Sequence, residues 1–282
     1  MPTIKQRRLG FRQGWPWLRQ AADTIARQPL AFIAPAGWLL LIGSLQWLVP
    51  GIGPLLAGLL APLSMAPLLA TFADSHAGAP ANGYANIQAM LSTQRLLPLL
   101  RLGLYLMLVL ILVSQLTGLA MAQLLPAELI KALEQRNTAT LLNIPKDDLI
   151  LLLVMTALPI GVLGVLAWFS IPLVVFKQMP VPRVIWRSLR AVARNWQALL
   201  ALTLSLILVS LGGLLLLTLL SALIGAFSST AAIILNLSLG FIAALFLQAC
   251  LAGAQYLSCQ QAFPSPPDCD DHCPAPTQQW LA

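Results

Sequence analysis

Acidic side chains are scarce in this chain: nine Asp and Glu among 282 residues, with only two histidines and four cysteines beside them. Charged residues of both signs make up 9%, against ~25% in a soluble domain. A water-facing exterior cannot be built from so few polar side chains. Scarce histidine removes further chemistry. There is no H-E-x-x-H metal pair, no histidine inside an apolar run to activate a serine, no P-loop and no dinucleotide fingerprint. His76 and His272 lie outside the apolar runs, and Asp74 with His76 reads as part of a solvated loop rather than as a catalytic pair. Carboxylates are missing from the runs as well, and proton- or sodium-coupled transporters usually depend on one. Four cysteines do not staple a secreted scaffold of this size. These absences point to a chain that is not an enzyme and takes no cofactor.

What is present is hydrophobicity. Apolar residues are 59% of the chain, and the mean hydropathy is +0.83. A helix crossing ~30 Å of hydrocarbon needs about 20 mostly apolar residues. Six stretches meet that length: 30–49, 52–73, 98–125, 149–176, 198–227 and 231–257. They are Leu-rich without alternation, which excludes a β-barrel pattern. The expected fold is all-α: a polytopic membrane protein with six transmembrane helices arranged as three hairpins. The last four stretches exceed a perpendicular crossing, so tilt, a kink at Gly212-Gly213, or ends running into the interface are expected.

Charge fixes an expected orientation. Thirteen of the sixteen Lys and Arg fall before the first stretch, around Arg95 and Arg101, or between Lys177 and Arg194. Only Lys131, Arg136 and Lys146 fall in the other connections, beside Glu128, Glu134, Asp147 and Asp148. The positive-inside rule then puts both termini in the cytoplasm of a bacterial inner membrane. Residues 1–29 form a cytoplasmic segment with an interfacial helix, and the first stretch reads as a retained anchor, since no small-residue cleavage site follows it. Residues 30–257 form the membrane domain, and 258–282 a disordered cytoplasmic tail. The net charge of +7 reflects leaflet preference; no basic–aromatic domain exists to hold nucleic acid.

Three segments on the basic side look alike: Trp15 to Arg27, Tyr84 to Arg95, and Val184 to Arg194. Each opens on a bulky residue, keeps helical spacing for about three turns, ends in Arg and enters a span directly. The expected unit is a cytoplasmic amphipathic helix followed by a transmembrane hairpin, used three times. In the first segment Trp15, Leu18, Ala22 and Ile25 make the apolar side. The third is the sharpest. Arg183, Arg187, Arg190 and Arg194 fall within about 60° of one another at ~100° per residue. Ile185, Leu189, Val192 and Trp196 stand opposite. Such a helix places its apolar side in the acyl boundary and its guanidinium row among phosphates.

Polar residues inside the spans include Gln115, Asn236 and Gln248, which would line any substrate pathway. Prolines 159 and 172 interrupt the fourth span, and the carbonyls they free need partners. Cys250 lies within the sixth span; Cys259, Cys269 and Cys273 fall in the tail. The run Cys269-Asp-Asp-His272-Cys273 has half the look of a zinc site, but its spacing matches no common one, so no metal is expected.

The pattern Trp186-Arg-Ser-Leu-Arg-Ala-Val-Ala-Arg-Asn195-Trp196, with Gly14-Trp15 and Gly58-Leu-Leu-Ala-Pro62, resembles a family of six-spanning proteobacterial inner-membrane proteins over roughly residues 12–258. The resemblance implies an inner-membrane location and no assigned activity or catalytic residue. The function expected is non-enzymatic binding of anionic phospholipid, or of a membrane-protein partner, through the basic surface helices. A carrier or flippase for a lipid or small apolar molecule is the alternative.

Overall fold

The structure is a computed structural model that describes residues 7–49, 51–126, 129, 145–225 and 228–264. Among these residues there is no strand. A short 3-10 turn at Phe11–Gln13 leads into α1, Gly14–Arg27. Gln28 (φ −139°, ψ 57°) ends it, and Pro29 opens α2, Pro29–Leu48, where its missing N–H costs nothing. A turn through Gly51, at φ 82°, delivers α3, Gly53–His76. Asn82 caps α4, Gly83–Met90, by accepting from the Ala85 N–H at 3.1 Å. The chain breaks at Leu91 and Ser92 and continues as α5, Thr93–Leu124. Helix α6, Lys146–Lys177, carries Asp147 and Asp148 in its first turn and Lys177 in its last, both favourable to its dipole. Helix α7, Val181–Gly225, bends at Asn195 (φ −115°, ψ 20°). Ser228 caps α8, Ser229–Ala262.

Six of these helices, α2, α3 and α5 to α8, are long and apolar enough to cross a membrane. At 32 residues, α5 and α6 each reach about 48 Å at 1.5 Å per residue, well beyond the ~30 Å of hydrocarbon. Burial shows where the excess goes. The buried core gathers at one end of the bundle, from Leu63–Ala73 of α3, 166–175 of α6, 249–263 at the end of α8, and the inner faces of α1 and 181–202 of α7. The other halves pack little. Beyond Leu202, α7 buries nothing, and Leu208, Leu215 and Leu237 are each more than 60% exposed. An apolar surface this extensive needs lipid as its solvent. The fold is that of a multi-pass membrane protein.

Three expectations change. No kink occurs at Gly212-Gly213; the bend lies at Asn195, whose side-chain amide donates to the Ala191 carbonyl at 2.9 Å. Glycine permits a bend but does not impose one, because its N–H still joins the ladder. The last helix runs past 257 to Ala262, so Cys259 is buried in the core rather than lying in a tail, and Phe263 packs edge-on against Phe169 with ring centroids 5.8 Å apart. The third and fourth apolar helices start earlier than 98 and 149, since their first turns are polar but still helical.

Candidate lipid-facing basic surface

The arm 181–194 of α7 is where the arginine row stands. Its residues fall into three sectors at ~100° per residue. Val184, Ser188, Ala191 and Asn195 are buried against the bundle. Arg183, Arg187, Arg190 and Arg194 make the adjoining arc, with Arg187 half-buried and the other three exposed. Trp186, Leu189 and Trp196 occupy the remaining arc and are exposed. The apolar side expected from Ile185, Leu189, Val192 and Trp196 is therefore divided. Val192 is buried against protein, whereas Leu189 and Trp196 face outward.

Side-chain contacts help hold the row in place. Arg187 Nη1 donates to Met179 Sδ at 3.4 Å, and the Arg190 guanidinium lies 5.9 Å from the Trp186 ring centroid. The second is a cation–π geometry, which keeps one charge beside an exposed indole. Behind the row, Ser188 Oγ donates to the Leu166 carbonyl at 3.1 Å, as does Ser170 Oγ at 2.6 Å. At the bend, Asn195 Oδ1 accepts from the Leu9 N–H at 2.7 Å. The Arg7 N–H donates to the Ala262 carbonyl at 3.1 Å, so the N-terminal strand of chain is tied to α7 and to the end of α8.

The other two surface segments dock in the same manner. Buried positions in α1 include Gly14, Trp17 and Ala21; in α4 they are Gly83, Asn86 and Met90; in α7 they include Val181, Val184 and Ser188. The 3-then-4 spacing is shared; α1 and α7 keep the register of their terminal arginines, and α4 is one residue out of step with it. Each also seats on the end of an even-numbered span. Trp17 Nε1 donates to Gln261 Oε1 of α8 at 2.9 Å; Asn86 Nδ2 donates to Asp74 Oδ2 of α3 at 2.9 Å and to Thr71 Oγ1 at 3.2 Å. In α1 Leu18 and Ile25 of the expected apolar side are buried, together with Trp17 and Ala21, whereas Trp15 is 53% exposed, contrary to its expected place. The second segment is shorter than expected: α4 ends at Met90, and Arg95 belongs to the first turn of α5.

Other candidates resolve differently. Asp74 lies on helix α3 and is 2% exposed, so the solvated loop is overturned. His76 stacks on Phe72 at 5.9 Å and meets Tyr256 edge-on at 6.0 Å, while Asp74 turns to Asn86. Gln115 and Asn236 are exposed and Gln248 is half-buried, so the structure gathers no pathway from these three. Pro172 lacks the N–H that would bond the Trp168 carbonyl. Gln255 Nε2 of α8 supplies the donor instead, 2.6 Å from Trp168 O and 3.4 Å from Ala167 O. Among the described residues, no group of three His, Cys, Asp or Glu side chains could hold a metal ion. Cys269, His272 and Cys273 lie outside the described residues.

No protein-family model, curated protein or solved structure matches this chain. What the basic surface does must be argued from its own geometry. Sequence reasoning found the arginines through their spacing; it missed Ser188, Asn86 and Trp17, which seat the surface helices. Their one signal is the recurrent 3-then-4 spacing of a residue unlike its neighbours.

Proposed function

We propose that this is a non-enzymatic multi-pass protein of a bacterial inner membrane, a member of the six-spanning family it resembles. Its spans form three hairpins, each led by a cytoplasmic amphipathic helix, and both termini are cytoplasmic. The basic surface helices bind anionic phospholipid, with a membrane-protein partner as the other candidate for the same surface.

One observation carries this reading. In the stretch 181–196 the arginine arc lies between a buried protein-facing arc and an exposed arc bearing Trp186, Leu189 and Trp196. Indole rings and guanidinium groups side by side suit the headgroup level of a bilayer, where one end of a side chain is apolar and the other wet. Each arginine near an anionic leaflet contributes about 1 kcal/mol, and the row of four about 4 kcal/mol. Replacing Arg183, Arg187, Arg190 and Arg194 with Gln should abolish most of the preference for phosphatidylglycerol over phosphatidylcholine, read as the lipid enriched around the purified protein in native membrane discs. Unchanged enrichment would overturn the proposal.

A further inference from the structure

The three docked surface helices can be compared at the seams they make with their neighbours. In α1, Gly14 lies against α7, and a Cβ built there would fall 2.8 Å from the Ala198 carbonyl oxygen. In α4, Gly83 lies against α2, and its Cβ would fall 2.5 Å from Pro35 Cδ. Each glycine closes its seam by letting backbone approach backbone. The third helix carries Val181 at the corresponding position, and the neighbouring span is α5. This seam is not closed. Between the start of α5 and the corner joining α6 to α7 lies a groove of about 1060 Å³, lined among others by Gln94, Arg95, Arg101, Leu104, Tyr105 and Val181.

We propose that this open seam is a lateral binding groove for one phosphate-bearing amphiphile, a phospholipid of the surrounding leaflet. The groove has two arginines in its lining and no carboxylate. Arg101 makes no hydrogen bond or ion pair with any other described residue, although it stands about one turn inside the apolar stretch of α5. A charge at the edge of an apolar stretch favours a counter-charge, and a guanidinium matches a phosphate with two parallel N–H donors. Tyr105, one turn further on, offers a phenolic hydroxyl at the same wall. Leu104 and Leu108, 45% and 53% exposed, continue the wall as apolar surface where acyl chains would lie. Their position argues for a lipid rather than free phosphate, because exposed leucines of the same helix adjoin the arginines that line the groove. The volume lies at the upper end of ordinary ligand pockets (~300–1,000 Å³), enough for a headgroup with the first part of its chains. The proposal does not rest on the row from Arg183 to Arg194.

The test uses the full chain extracted with its lipids and examined by native mass spectrometry, with phosphatidylglycerol, phosphatidylcholine and inorganic phosphate as probes. Wild type should retain one phosphatidylglycerol in preference to phosphatidylcholine. Arg101→Gln should weaken that binding about tenfold, the size of one charge-assisted hydrogen bond. Arg101→Lys should weaken it less, and Leu104→Trp, which fills the groove without touching its charge, should block it. The fourfold Gln variant of Arg183, Arg187, Arg190 and Arg194 should still hold this single lipid. All these positions are exposed except the half-buried Arg187, and a far-ultraviolet dichroism spectrum like that of wild type verifies folding. Retention unchanged in both Arg101→Gln and Leu104→Trp would overturn the proposal, as would equal retention of phosphatidylcholine. Arg101-dependent protection by inorganic phosphate alone, without preference for the lipid, would also overturn it.

Discussion

The bond between Gln255 and the carbonyl freed by Pro172 can be measured directly. Gln255 is 3% exposed, and its Nε2 donates to Trp168 O at 2.6 Å, whereas its Oε1 is buried with no partner among the described residues. Gln255→Leu removes the donor and leaves Trp168 O buried and unpaired. Such an orphan costs about 1–3 kcal/mol. Removing the unpartnered Oε1 returns part of this, leaving a net loss of about 1–2 kcal/mol by the same reckoning. Pro172→Ala restores the backbone N–H, which then serves Trp168 O within the helix. In that background Gln255→Leu should cost less than about 0.5 kcal/mol, giving a coupling of about 1–2 kcal/mol between residues 83 positions apart. Equilibrium unfolding in mixed detergent micelles, followed by tryptophan fluorescence, measures all four corners of the cycle. Costs for Gln255→Leu that agree within ~0.5 kcal/mol in the two backgrounds would refute the reasoning, since independent sites add to that precision.

The seam glycines are the next test. Gly83→Val drives a side chain into Ala31 and Pro35 and should destabilise by about 1–3 kcal/mol, the usual cost of overpacking. Gly212→Ala, in open space on a helix that continues unbroken, should instead be neutral or stabilise by up to about 1 kcal/mol; thermal denaturation in detergent compares the two. Asn195→Ala strands the buried Leu9 N–H and should cost about 1–3 kcal/mol while raising trypsin cleavage at Arg12. Cleavage at the wild-type rate would show that the bend does not hold the N-terminal segment.

Some of this could be read from the chain and some could not, for physical reasons. The six long helices were legible because lipid imposes a length and a composition that few other folds share. The arginine row was legible because 3.6 residues per turn converts its spacing into a stripe. Which arc of that helix meets protein was not. Ser188 and Ala191 are small and weakly polar, and nothing local marks them as the buried side until Leu166 and Ser170 are placed beside them. The same holds for Trp17, whose indole finds Gln261 at a separation of 244 residues. A carbonyl freed by Pro172 could be foreseen, yet not that the Gln255 amide would donate to it. Cys259 was misplaced because the helix continues through polar Gln260 and Gln261, which end an apolar run without ending a helix.

The proposed lipid-binding surface requires the three docked surface helices to form a single layer on the cytoplasmic side of the membrane. Single cysteines at Arg12, Tyr84 and Arg194, in a background with the native four replaced by alanine, can be labelled with a membrane-impermeant thiol reagent. All three should react in inverted membrane vesicles and stay unreacted in intact cells. If any one of them is labelled from outside intact cells, the layer is divided across the bilayer and the proposed lipid-binding surface does not exist.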